Sequence, residues 1–147
     1  MKFYHNLKTI IVDIDDTLIS GDFNDNALTY THRSTNQAVI DFVNEADNIF
    51  VVTGRNESLK GETEALLSSI GLQYNRLYMN PNHYSLSNDH KDYTASVLSA
   101  SIRVDLAIDD NEEVRDIYAS YGIRSLDPAL ILDKPIDLFD QQIAFQD

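Results

Sequence analysis

The sequence of 147 residues contains no cysteine. This absence excludes a disulfide framework, a thiolate metal site and a cysteine nucleophile, and it fits a reducing compartment. The sequence also has no apolar run long enough to span a membrane. The N-terminal segment MKFYHNLKTIIVDIDD reaches acidic residues after only a few apolar ones, unlike a signal peptide. We therefore expect a cytoplasmic protein with no membrane partner.

Basic residues are scarce, with 11 Lys and Arg against 24 Asp and Glu and a formal net charge of -13. A field of this sign repels polyanions, so we expect no stable nonspecific binding to nucleic acid. Two explanations of the charge stay open. The acidic side chains either keep a small protein soluble or converge in part on a cation.

The length and composition match one ordinary domain. The residues are 43% hydrophobic and include six Phe and eight Tyr, which is enough to bury a core without staples. There is no internal repeat and no linker. We predict a single domain over residues 1–147, and the oligomeric state is not determined by the sequence.

Short apolar runs alternate with segments of helical periodicity. Near-continuous apolar runs are typical of strands covered on both faces of a parallel sheet, and Gly71 and Gly122 are placed to end the second and fourth helices. This alternation predicts a three-layer, Rossmann-like α/β fold with a mostly parallel sheet, whose ligands bind at the carboxyl ends of the strands. The expected strands are 9–12, 49–52, 77–79, 105–108 and 123–126. The expected helices are 38–46 (capped at Ser34-Thr35), 59–70, one with Tyr93, Val97 and Leu98 on its apolar face, and 114–121.

Carboxylates follow two of these strands. Asp13, Asp15 and Asp16 come directly after the first strand, and Asp109 and Asp110 come directly after the fourth. Carboxylates placed close together repel one another, and a divalent cation relieves that cost. Oxygen ligands of this kind suit magnesium better than a soft metal.

Two other interpretations apply to the first acidic segment. One is an ordinary acidic turn, which the segment alone does not exclude. The other is an EF-hand loop, because Asp13, Asp15 and Thr17 occupy alternate positions. The EF-hand interpretation fails because the required glycine position holds Leu18 and the bidentate glutamate position holds Asn24.

Phosphate-binding groups follow the second strand. Thr53, Gly54 and Arg55 supply a hydroxyl, a flexible backbone and a cation beside the start of a helix. Lys91 lies near the start of the third helix, where its ammonium can offset charge on a nucleophile and a phosphate. A solitary lysine is otherwise usually a solvated surface residue.

The ordered set DIDDTL, TGR, Lys91 and AIDDN resembles the four motifs of the haloacid dehalogenase (HAD) superfamily, over roughly residues 7–126. The resemblance implies that Asp13 is the nucleophile that forms an aspartyl-phosphate and that Asp15 is the general acid and base. It also implies that Thr53 binds the transferring phosphoryl group and that Lys91 stabilises its charge. The substrate-binding set is then Thr53, Gly54, Arg55 and Lys91, and the Mg2+ ligands are Asp13, Asp15, Asp109 and Asp110.

Little chain remains for a cap domain, because the segments 18–49 and 55–91 must already supply loops, helices and a strand. The expected open site suits a nucleotide or the phosphorylated end of a larger molecule. Within the superfamily, LAIDDNEEVRDIYASYGIR and TGR most resemble the phosphatase domain of bacteriophage polynucleotide kinase-phosphatases, which implies a terminal 3'-phosphate as substrate. The kinase P-loop is absent.

Two residues depart from these patterns. Asp16 stands where the superfamily often has glycine, and His83 stands where the polynucleotide phosphatases have a further arginine. His83 and Tyr84 either stack on a base near the site or pack at the surface. Thr17 is interpreted as part of the local turn.

Other functions remain as alternatives. One is a 5'-nucleotidase or another small-molecule phosphatase of the same superfamily. Two are not enzymes: a receiver-like domain, whose acidic residues and lysine occur in a different order along the chain, and an inactive domain that binds phosphate.

Overall fold

The structure of the protein is a computed structural model that describes residues 7–24 and 29–132, with the backbone alone for residues 22–24 and 29–33. The prediction of a single domain over residues 1–147 extends beyond the described residues. The strands are β1 (Thr9–Val12), β2 (Ile19–Asn24), β3 (Thr29–Thr35), β4 (Asn48–Asn56), β5 (Arg76–Asn80), β6 (Leu106–Ile108) and β7 (Ser125–Leu126); the helices are α1 (Gln37–Asn44), α2 (Lys60–Ser69), α3 (Ser87–Ser101) and α4 (Glu112–Ser120).

Five of these strands form one parallel sheet in the order β5-β4-β1-β6-β7. Counted among the parallel strands alone, this order is 3-2-1-4-5, which is that of Rossmann-like folds. A receiver-like fold has the order 2-1-3-4-5, with the first strand between the second and the third. Here β1 lies between the second and the fourth, so the predicted α/β class is confirmed and the receiver topology is excluded.

The sheet lies between two helical layers. In β1, Ile10 and Val12 pack into the core under α1 and α2, whereas Ile11 packs into the core under α3 and α4. All three side chains are fully buried, as expected for a central strand whose side chains alternate between the two faces of a sheet. Because β1 is paired in parallel with β4 and with β6, the carboxyl ends of these three strands meet at one edge of the sheet.

The segment between β1 and α1 differs from the sequence expectation. It contains an antiparallel hairpin of β2 and β3 in place of an irregular loop. This hairpin absorbs Ser34 and Thr35, which the sequence analysis assigned as the cap of α1, and Asn36 is the residue that precedes the helix instead. The Asn36 side chain donates to the Thr17 carbonyl oxygen, which joins the start of α1 to the turn after β1.

The buried face of α3 also differs from the predicted one. Tyr93 and Val97 are 71% and 43% exposed, whereas Leu98 is buried as predicted. The inner face carries the polar residues His90, Lys91 and Thr94, so apolar periodicity indicated part of the wrong face.

The helix ends at Gly71 and Gly122 are confirmed, with φ of 76° and 74°. In the described part of the chain, no helix has both the length and the apolarity needed to cross a bilayer.

Candidate active site

The site is built on the carboxyl ends of β1, β4 and β6. Asp13 directly follows β1, and its backbone N–H donates to the Ile108 carbonyl at the end of β6 at 3.0 Å. Asp109 directly follows β6, and its Oδ1 accepts from the Asn111 backbone N–H at 3.0 Å. The sheet thereby holds two carboxylates from distant parts of the sequence next to each other, as the parallel fold requires.

The ammonium of Lys91 lies between these two carboxylates. Its Nζ is 3.0 Å from Asp13 Oδ1 and 2.6 Å from Asp109 Oδ2, and all three side chains are less than a tenth exposed. Burial lowers the pKa of Lys91, but the carboxylates of Asp13 and Asp109 outweigh burial and hold that pKa above its ordinary value. The lysine therefore stays charged and compensates part of the negative charge of the site.

Asp13, Asp109 and Asp110 form an acidic group, in which ligand oxygens from all three lie within 4.8 Å of one another. Burial raises the pKa of Asp13 to about 6, against the attraction of Lys91. Burial raises the pKa of Asp110 to about 7, together with its hydrogen bond to Asp13 and the Asp13 charge. Burial, with a smaller contribution from repulsion between neighbouring carboxylates, thus favours the protonated forms of Asp13 and Asp110.

This acidic group fits a divalent cation. Its three carboxylates against the one Lys91 ammonium leave two formal negative charges, which a divalent ion neutralises. The ligand atoms are all carboxylate oxygens, the type that Mg2+ and Ca2+ prefer. Asp13, Asp109 and Asp110 can therefore bind a metal ion.

Asp15, which the sequence analysis placed in the metal set, has a different partner in the described structure. Its two oxygens accept from Arg55, at 2.7 Å from one terminal guanidinium nitrogen and at 2.9 Å from Nε. Such a two-pronged pair fixes the orientation of both side chains. Arg55 Nη1 also lies 3.4 Å from Thr63 Oγ1. The ligand role of Asp15 stays a prediction.

Thr53 and Gly54 shape the irregular end of β4, which carries Arg55. Thr53 is fully buried, and its hydroxyl accepts from the Arg55 backbone N–H at 3.1 Å. A Cβ at Gly54 would lie 2.6 Å from the Ser87 Cβ, so only glycine lets the end of β4 approach the start of α3 this closely. The end of β4 is therefore packed against α3, the helix that supplies Lys91.

Thr17 is a site residue that sequence reasoning assigned to local turn structure. Its backbone N–H does bond the Ile14 carbonyl in that turn. Its buried hydroxyl also lies 3.1 Å from Asp13 Oδ2 and 3.3 Å from Asp110 Oδ1. The signal in the sequence was the spacing of four residues from Asp13, which a tight turn brings back to the carboxylate.

Asp16 has a positive φ of 63°. This conformation is open to glycine without strain, and Asp is among the few other residues that adopt it readily. The backbone geometry thus explains why Asp can stand at a position where glycine is common in the superfamily that the motif resembles. Its side chain is exposed.

A cavity of about 600 Å³ opens onto these residues. Its lining includes the charged residues Asp13, Asp15 and Lys91. It also includes Leu59 and the aromatic residues His83 and Tyr84. The volume is in the range of roughly 300–1,000 Å³ that small-molecule sites occupy, so it exceeds what a phosphate group alone needs.

No family model matches the sequence, and a search of curated proteins gave no match. A chain of similar fold occurs in a solved structure described as "Structure of the Pnkp1/Rnl/Hen1 RNA repair complex". The TM-score is 0.66 at 21% sequence identity, and the match covers 83% of this chain and 42% of that chain. The protein thus shares its α/β fold with a component of an RNA repair complex and spans less than half of that component's length.

Proposed function

We propose that the protein is a Mg2+-dependent phosphohydrolase that acts through an aspartyl-phosphate on a nucleotide or a polynucleotide terminal phosphate. The observation that carries this proposal is the arrangement of Asp13. Its carboxylate lies at the edge of the sheet, beside the Lys91 ammonium and within the acidic group, and it lines the cavity. The HAD-like order of the motifs supports the same assignment.

In the first step, a carboxylate oxygen of Asp13 bonds to phosphorus while the ester P–O bond breaks. Asp15 gives a proton to the leaving oxygen. Lys91 is already placed 3.0 Å from the nucleophile, so its charge stabilises the transferring phosphoryl group without rearrangement. Mg2+ in the acidic group would supply further positive charge for the phosphoryl oxygens.

In the second step, Asp15 takes a proton from water as the water oxygen attacks phosphorus. The bond between the Asp13 oxygen and phosphorus breaks, and inorganic phosphate leaves. Both steps require that Asp15 give up a bond to Arg55, since Arg55 engages both of its oxygens. A substrate phosphate offers Arg55 replacement oxygens, which frees Asp15 for proton transfer.

Two observations favour a nucleotide end over a hexose phosphate. The cavity is large enough for more than a phosphate, and the aromatic residues His83 and Tyr84, which can stack on a base, are among the residues that line it. The structurally similar chain comes from an RNA repair complex. A substrate at a nucleic-acid end agrees with that source, and a 5'-nucleotidase or other small-molecule phosphatase is the alternative.

The test is a phosphatase assay with 3'-phosphorylated dinucleotides, nucleoside 5'-monophosphates and glucose 6-phosphate, each with Mg2+ and with chelator. We expect hydrolysis that needs Mg2+ and is fastest with the 3'-phosphorylated dinucleotide. A preference for nucleoside 5'-monophosphates would select the alternative. Absence of hydrolysis of all three substrates with Mg2+ present would contradict the proposal.

A further inference from the structure

We give the name aromatic rim to three residues that line the cavity, Leu59, His83 and Tyr84. The rings of His83 and Tyr84 have centroids 4.5 Å apart and planes at 42°. Tyr84 is 36% exposed, and both rings belong to residues that line the cavity. We propose that this rim is a stacking site for the base of the nucleotide whose phosphate lies at Asp13, an inference that rests on the proposed function.

The rim is held in place by side chains at the ends of β5 and β4, and β4 is also one of the strands that form the catalytic edge. Asn80, which is fully buried at the end of β5, donates to the carbonyl oxygens of Gly54 at 3.3 Å and His83 at 3.1 Å. Asn56 donates to the carbonyl oxygens of Asn80 and Asn82. These bonds tie the segment that carries His83 and Tyr84 to the end of β4 that carries Arg55, so the fold fixes the distance between the base site and the phosphate site.

The His83 ring is oriented by its own loop. Its Nδ1 accepts from the Ser85 backbone N–H at 3.2 Å and lies 3.0 Å from the Ser85 hydroxyl. The His83 carbonyl accepts from the Leu86 N–H at 2.9 Å, which closes the turn that presents Tyr84. Rings that are already ordered lose little conformational entropy when a flat ligand stacks on them.

Charge on the cavity wall gives stacking a larger share of the affinity. Among the described residues that line it, the cations are Lys91 and Arg55. Each is paired with carboxylates of the site, Lys91 with Asp13 and Asp109 and Arg55 with Asp15. Contacts to additional phosphates of a polyanion are therefore weak, whereas an aromatic ring binds any base through its π-face.

The test measures binding of adenosine 3'-monophosphate and of inorganic phosphate, with Mg2+, by calorimetry. The Asp13→Asn protein is the background, so that turnover does not consume the nucleotide. We expect the nucleotide to bind at least tenfold more tightly than phosphate. Tyr84→Ala should weaken nucleotide binding by roughly 5- to 150-fold, the usual loss for one base–aromatic stack, and it should change phosphate binding by less than about twofold.

Two variants serve as controls. Tyr84→Phe retains the ring and should keep nucleotide affinity within about twofold. Tyr93→Ala removes an equally large ring from the outer face of α3, where Tyr93 is 71% exposed, and should leave the affinity unchanged. Equal nucleotide affinity in Tyr84→Ala and its background, or no preference for nucleotide over phosphate, would overturn the stacking site. If the nucleotide binds as expected but the wild-type protein hydrolyses none of the assay substrates with Mg2+, the proposed function is contradicted and the stacking site stands.

Discussion

Replacing Lys91 with methionine removes the one ammonium of the acidic group while keeping most of the side-chain volume. Asp13 and Asp109 then remain buried without their cation, at sites where the two ion pairs were 3.0 and 2.6 Å long. Breaking a buried ion pair by removing one partner costs about 3–5 kcal/mol of unfolding free energy. Because one ammonium is paired with two carboxylates here, we expect Lys91→Met to lose about 5 kcal/mol of unfolding free energy at pH 8. This loss is a large fraction of the stability of a single domain.

The loss in Lys91→Met should depend on pH and on Mg2+. The attraction of Lys91 lowers the pKa values of Asp13 and Asp109, so without it both carboxylates take up protons at higher pH and the loss becomes smaller toward pH 5. The substitution also raises the formal negative charge of the acidic group from two to three. Saturating Mg2+ should therefore stabilise the variant more than it stabilises the wild type.

The assay is urea denaturation followed by circular dichroism at pH 8 and pH 5, with and without Mg2+. Lys60→Met is the matched control, because Lys60 is exposed on α2, and its unfolding free energy should stay within about 0.5 kcal/mol of wild type. A loss below about 1 kcal/mol in Lys91→Met at pH 8 would refute the reasoning. So would equal stabilisation of variant and wild type by Mg2+.

Three further predictions follow from the acidic group. Without Mg2+, thermal melts should show lower stability at pH 8 than at pH 5. The pKa values of Asp13 and Asp110 are raised from 3.8 to about 6 and about 7. The contribution of these two groups to stability is therefore complete below pH 3.8 and is lost as the pH rises through 7. Asp110→Asn should raise the Mg2+ concentration needed for half-maximal stabilisation at least tenfold, whereas Asp15→Asn should raise it less than twofold, because the Asp15 side chain is paired with Arg55 and lies outside the acidic group. A tenfold effect of Asp15→Asn would instead support the ligand role that the sequence pattern implies for Asp15. Thr17→Val should lower kcat at least tenfold, because the hydroxyl between Asp13 and Asp110 is lost. The control Thr94→Val removes a buried hydroxyl that donates to the His90 carbonyl, and it should cost about 1 kcal/mol of stability without lowering kcat. Equal rates in both variants would contradict a site role for Thr17.

The parallel sheet was predictable because its strands are apolar on both faces. Ile10, Ile11 and Val12 are fully buried, and such runs carry a strong signal in the sequence. The β2–β3 hairpin was not predicted, since its segment from Ile19 to Thr35 is rich in Ser, Thr, Asp and Asn and has no apolar run. Antiparallel pairing between β2 and β3 defines this element.

The candidate site was predictable where strand ends alone placed its residues. Asp13 and Asp109 meet because β1 and β6 are neighbours in the sheet. Side-chain partners across the site were not predictable from spacing. The pairing of Asp15 with Arg55 depends on the directions that the turn after β1 and the irregular end of β4 give these two side chains. The inner face of α3 was missed in part because it buries the polar residues His90, Lys91 and Thr94, which apolar periodicity does not indicate.

The central claim is that Asp13 becomes covalently phosphorylated during turnover. The most direct measurement is rapid acid quench of the enzyme during hydrolysis of a 3'-phosphorylated dinucleotide with Mg2+, followed by peptide mass spectrometry. The account predicts a phosphoryl group on the peptide that contains Asp13, formed and consumed at rates compatible with kcat, and no such adduct in Asp13→Asn. Hydrolysis at an undiminished rate by Asp13→Asn, or a phosphoryl group on a different residue, would contradict it.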